Sequence, residues 1–118
     1  MEKWILVVKS NCADYLPGHD FNEDEKFNEW YDNFHLPDVM STAGFVNARR
    51  FVSPDFSTMD TGRYLAIYEV ETDDIHKTMA ALDANLKQIV KKGRYSDLLK
   101  VISVSFYKQI TAIAKPRK

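Results

Sequence analysis

His35 is the residue whose type and setting come closest to chemistry. It stands two residues before Pro37 at the end of a helical pattern. An imidazole with an unshifted pKa of about 6.5 can take or give a proton near neutrality, and a helix C-terminus favours its charged form. Position 35 lies about 40° around a helix from Tyr31, at the edge of the apolar stripe. Two readings stand: a general base or acid acting on a bound carbon acid or lactone, and a side chain that caps its helix by bonding a free carbonyl. Asp32, one turn earlier, and Asp38, three residues later, could each hold the ring in one tautomer or sit solvated at the helix end. Tyr64, Tyr68 and Tyr107 fall together when strand residues are sorted by alternation. A phenol there could bond a developing enolate oxygen, or pack at an interface with its hydroxyl satisfied.

Arg49 on the same side would be a costly buried charge unless it met an acidic ligand or a carboxylate; Arg50 belongs on the opposite face near the rim. Asn47, Ser103 and Ser105 could orient a ligand, with Trp4, Tyr31, Phe51 and Tyr107 as aromatic wall. Trp30 reads as core. His19 falls in a loop and His76 in the first turn of a later helix, and neither has metal-ligand spacing with His35. The single Cys12 excludes an intramolecular disulfide framework and suits a reducing compartment. Glycines 18, 44, 62 and 93 take turn or cap positions, so no phosphate loop or dinucleotide motif is present. Neither metal nor cofactor is expected.

Six elements must position these groups. Residues 3–10 are apolar at consecutive positions, as in a strand covered on both faces. Residues 11–20 hold Asn, Asp, Pro and Gly and read as a loop. Asn22 with Glu25 has the form of a capping box. Beyond it Phe27, Trp30, Tyr31 and Phe34 share one helical face, and Pro37 is expected to stop the helix, with a short turn over 38–41. Strands follow over 45–53 and 63–71, joined by a loop at 54–62. Thr72 or Asp73 should cap a second helix with a buried stripe of Ile75, Met79, Leu82, Leu86, Ile89 and Val90, closed by Gly93. A last strand runs from 100 to about 112, and 115–118 form a basic, flexible tail.

The order βαββαβ predicts one α+β domain over 1–118, ferredoxin-like, with two helices on one face of a four-stranded antiparallel sheet. Alternation places Ile5, Val7, Leu65, Ile67, Val46, Ala48, Val104 and Phe106 under the helices. It leaves Trp4, Leu6, Val8, Phe45, the three tyrosines, Arg49, Asn47, Phe51 and the serines on an open face too aromatic for water, which a twofold partner would roof.

A chain of 118 residues with 45% hydrophobic and 28% charged residues can bury one core. Its net charge of −1 gives no general affinity for nucleic acid or anionic membrane. Without a signal-peptide pattern or an apolar stretch of about 20 residues, the expected location is cytoplasmic.

The run Phe27-Asn28-Glu29-Trp30-Tyr31-Asp32-Asn33-Phe34-His35-Leu36-Pro37-Asp38-Val39, followed by Gly44-Phe45-Val46-Asn47-Ala48-Arg49-Arg50-Phe51, resembles the dimeric α+β barrel superfamily and, within it, the EthD-like group. The element order matches along the whole chain, and the local motif covers about a quarter of it. The resemblance implies a homodimer with a small-molecule cavity between each sheet and its helices, and His35 as the leading catalytic candidate. By that likeness the chain would be a cofactor-independent isomerase, lyase or cyclase of a small aromatic or lactone-type metabolite. The alternatives are a non-catalytic ligand-binding or accessory homodimer and a cofactor-free monooxygenase.

Overall fold

The computed structural model describes the backbone of residues 1–12 and 21–116, without the side chains of 21–23, 56 and 59. The expected loop at 13–20 with His19, the capping side chain of Asn22 and the last two tail residues lie outside the described residues. Strand β1 (Glu2–Cys12) is followed by helix α1 (Phe21–Trp30), a π-helical turn (Tyr31–His35), helix α2 (Leu36–Met40) and β2 (Phe45–Val52). A 3₁₀ turn (Phe56–Thr61) leads to β3 (Tyr64–Thr72), α3 (Ile75–Lys91) and β4 (Leu99–Lys108). The four strands form one antiparallel sheet in the order β2-β3-β1-β4, the ferredoxin-like arrangement expected. Among the described residues no helix is long and apolar enough to cross a membrane.

Pro37 does not stop the first helix. A proline in an unbroken α-helix leaves one carbonyl unserved and presses its ring on it. Here the Leu36 amide reaches back five residues to the Tyr31 carbonyl, which inserts one extra residue into the turn. Pro37 then falls in the opening turn of α2, where a missing amide costs little. The inserted residue also slides the pattern by one place. Phe34, expected inside, is 46% exposed, and His35 turns inward at 6%.

α3 is capped by Asp74, not Thr72 or Asp73: the Asp74 carboxylate accepts from the Lys77 amide at 3.1 Å. Thr72 Oγ1 instead receives the Asp74 amide. The helix ends as the sequence implies. Gly93 is left-handed (φ +69°), its amide bonds the Val90 carbonyl, and the Arg94 amide bonds that of Ile89. Val90 faces solvent instead of joining the stripe, while Thr78 is buried.

The two central strands are turned over relative to the alternation reading. Leu6 pairs with Tyr68 and Phe106, and Ala48 also pairs with Tyr68, so these residues share a face. That face, with Tyr64, Ala66 and Val70, packs under Phe27, Tyr31 and Val39 of the first helical segment and Ile75 and Leu82 of α3. Trp4, Leu6, Val8, Tyr64 and Tyr68 are therefore beneath the helices, and Ile5, Val7, Leu65 and Ile67 lie on the open side. Both sets are apolar, so alternation alone carries no sign. The aromatic stripe of α1 supplies it: Phe27 meets Tyr64 at 5.2 Å and Tyr31 at 5.6 Å, both edge-on. In β2 a register shift between Phe45 and Asn47 sends Val46 outward and Phe45 into the core against Tyr68.

Candidate functional site

The first helical segment supplies His35 and Val39 at one side of a small cavity, with Tyr31 packed against His35, and β3 supplies Tyr68. Leu6 and Val8 of β1 form the floor, Leu82 and Leu86 of α3 one wall, and Leu99, Val101 and Val104 of β4 the outer edge. The cavity measures about 90 Å³. His35 stacks on Trp30 (4.9 Å between ring centres, 24°), meets Tyr31 edge-on at 4.8 Å and Tyr95 perpendicularly at 5.8 Å. This aromatic clamp sets the ring's orientation.

Three buried polar atoms of these side chains have no hydrogen-bond partner among the described residues: His35 Nδ1, Tyr31 Oη and Tyr68 Oη. Such groups are rare in native interiors and costly. The two phenols face one another, and their contact lowers Tyr31 and raises Tyr68. Burial raises both above the ordinary tyrosine value, Tyr68 the further. Burial also pushes His35 down to about 4, against a smaller upward pull from Asp38 and with a small downward push from Arg50. The imidazole is thus neutral at pH 7. The helix-end setting that would favour its charged form is absent, because the chain continues through α2.

The carboxylates do not hold the ring. Asp38 Oδ2 accepts from Arg94 Nε at 2.8 Å, and Asp32 Oδ1 accepts from Arg50 Nη1 at 2.8 Å. Arg94 completes an indirect support, since its carbonyl accepts from the indole of Trp30 at 2.9 Å, the ring on which His35 stacks. Arg50 spreads its guanidinium over the far side of Tyr31, 4.0 Å from the ring centre, and also bonds Asn28 at 2.9 Å. Tyr64 shares the sheet face of Tyr68 but stands at this Arg50 end. There a wider groove of about 420 Å³ runs between α1 and β2. It is the larger concavity, and Arg50 is held there by Asp32 and Asn28.

The remaining candidates divide by face. Trp4 is on the helix side, its indole bonded to Glu2 at 3.2 Å and its ring beside Phe106 at 5.9 Å. Asn47, Arg49, Phe51, Ser103, Ser105 and Tyr107 are on the opposite side of the sheet, away from His35. Arg49 is exposed and bonds Glu69 at 3.2 Å, so it does not reach the cavity. Sequence reasoning missed Tyr95, Arg94 and the stacking role of Trp30. The one available signal was an aromatic residue two places after the helix-closing Gly93. Among the described residues no three His, Cys, Asp or Glu gather to hold a metal ion.

This architecture recurs in solved structures. A candidate monooxygenase from Shewanella loihica superposes with TM-score 0.60 and 12% identity over 95% of this chain and 99% of its own. HapK from Hahella chejuensis gives 0.55 and 13%, over 99% and 100%. An EthD (ethyl tert-butyl ether D) family protein from Bacillus halodurans gives 0.52 and 16%, over 93% and 100%. What these structures share with the chain is the ferredoxin-like α+β fold. At these identities the likeness speaks for fold alone. No protein-family profile matches the chain, and no curated protein does.

Proposed function

We propose that this α+β barrel protein binds a small molecule between sheet and helices and acts on it without a cofactor, as an isomerase, lyase or cyclase of a small aromatic or lactone-type metabolite, working as a homodimer. One observation carries the reading. A neutral imidazole with an unpartnered Nδ1 lines the same cavity as a phenol with an unpartnered hydroxyl, and a second such phenol touches the ring. His35 would take a proton from the ligand, and Tyr68 or Tyr31 would donate to the oxygen on which charge develops. The raised phenols stay protonated, as that role requires.

A monooxygenase-like reaction is the variant suggested by the Shewanella neighbour. Non-catalytic binding is the second reading, favoured by His35 itself: an imidazole pushed down to about 4 is a weak base. Metabolite co-purifying with the protein, released and identified by mass spectrometry, supplies the substrate to test. His35→Gln should then lower turnover at least about 100-fold, the usual contribution of a general base, with the fold intact by circular dichroism. Unchanged turnover would remove His35 from the chemistry.

A further inference from the structure

The polar and apolar parts of the cavity are segregated. The Tyr68 and His35 side chains mark one end, with the Tyr31 ring packed against His35, and among the described residues the other walls from β1, α3 and β4 are aliphatic apart from the Tyr95 ring. Among the described residues no charged side chain lines it. The guanidinium nearest the cluster, Arg50, lies on the far side of the Tyr31 ring with bonds to Asp32 and Asn28, and Arg94 is engaged with Asp38. A ligand carboxylate or ammonium placed here would lose its water and meet no counter-ion, a large penalty. A hydroxyl or carbonyl would instead answer the phenols and the imidazole at once, since a phenol donates and a neutral imidazole nitrogen donates or accepts.

The space is also smaller than the roughly 300–1,000 Å³ of usual ligand pockets. Among the described residues its β4 side is open, where Val101 and Val104 are 42% and 57% exposed. A ligand with its oxygen at the tyrosines would run its body outward along these valines. We propose that the cavity takes an uncharged, mainly hydrocarbon ligand bearing an oxygen function at one end, held head-first at the Tyr68 and His35 end, which Tyr31 backs, with its chain against α3 and β4. This rests on the cavity being the binding site, and makes no demand that the ligand be turned over.

The test uses four probes of equal chain length, 1-octanol, 2-octanone, octanoate and octylammonium, titrated at pH 7 into the full-length protein. Quenching of Trp30, stacked on His35, reports occupancy, and calorimetry confirms it. The alcohol and ketone should bind at least about ten-fold more tightly than either ion, and Tyr68→Phe should weaken the neutral probes about ten-fold. Tyr31→Phe provides an independent check if Tyr68→Phe melts early. Equal or tighter binding of octanoate would overturn the proposal, as would neutral binding indifferent to both tyrosines or no binding at all. Tight neutral binding with unaltered turnover in His35→Gln would leave this inference standing and end the catalytic one.

Discussion

The two faces of the sheet solve opposite problems with similar residues. On the covered side Tyr64 and Tyr68 of the sheet meet Phe27 and Tyr31 of the first helical segment, and three polar atoms there are left unanswered. The open face sets aliphatic Ile5, Val7, Leu65 and Ile67 among polar and charged neighbours, and its Arg49–Glu69 pair satisfies itself at the surface. Aromatic side chains with hydroxyls offer both a large apolar body and a polar tip. Placed beneath helices they build a cavity with a polar end. Aliphatic residues on the other face build a plain surface, which is the part a second copy of the chain would cover in the proposed homodimer.

Deleting large side chains should separate the faces most strongly. Phe27→Ala, at a fully buried ring touching Tyr31 and Tyr64, is expected to cost about 3–5 kcal/mol in urea unfolding. Phe51→Ala, on the open side and 48% exposed, should cost under about 1.5 kcal/mol. Comparable losses would mean the open face is as tightly packed as the core, as a dimer interface there would produce.

A pH series probes the buried imidazole next. Unfolded His35 takes its proton near the ordinary histidine value of 6.5 and the folded chain only near 4. Between those values the unfolded state binds more protons, so stability falls as pH drops through the window. The loss at its lower end is of order 3 kcal/mol. Unfolding free energies from pH 7 to 4 should show this slope in the native protein and lack that part of it in His35→Gln. Parallel curves would place His35 in water.

The adjacent arginines of β2 sharpen the contrast further. Arg50→Ala removes a guanidinium that packs on Tyr31 and bonds both Asp32 and Asn28, and should cost about 2 kcal/mol. Arg49→Ala, one residue away on the other face, should cost under about 1 kcal/mol because its pair with Glu69 is exposed. Tyr68→Phe gives the smallest change of all in the ligand-free protein. Removing an unpartnered buried hydroxyl should leave stability within about 1 kcal/mol of wild type, neutral or slightly raised. A clear loss in thermal melting would show that the hydroxyl already has a partner.

Much of the frame could be read from residue order. The element sequence, the closing turn at Gly93 and the faces of Asn47, Arg49, Arg50, Phe51, Ser103, Ser105 and Tyr107 follow from local preferences and from strands with one polar side. Chain reversal at Gly62 is of the same kind. It holds φ +94°, and a Cβ there would stand 2.8 Å from that of Lys9, so only glycine passes.

Local pattern determined, then, what each segment would become and which side of a half-polar edge strand faces water. Only the folded arrangement decided which apolar side of β1 and β3 lies under the helices, because both sides are greasy and the choice depends on the aromatic stripe they meet. It also decided that His35 rather than Phe34 points inward. That outcome needs one widened turn ahead of a proline, and the energy that holds the turn comes from the packing of Trp30, Tyr31 and Tyr95 around the imidazole, contacts that chain order alone does not reveal.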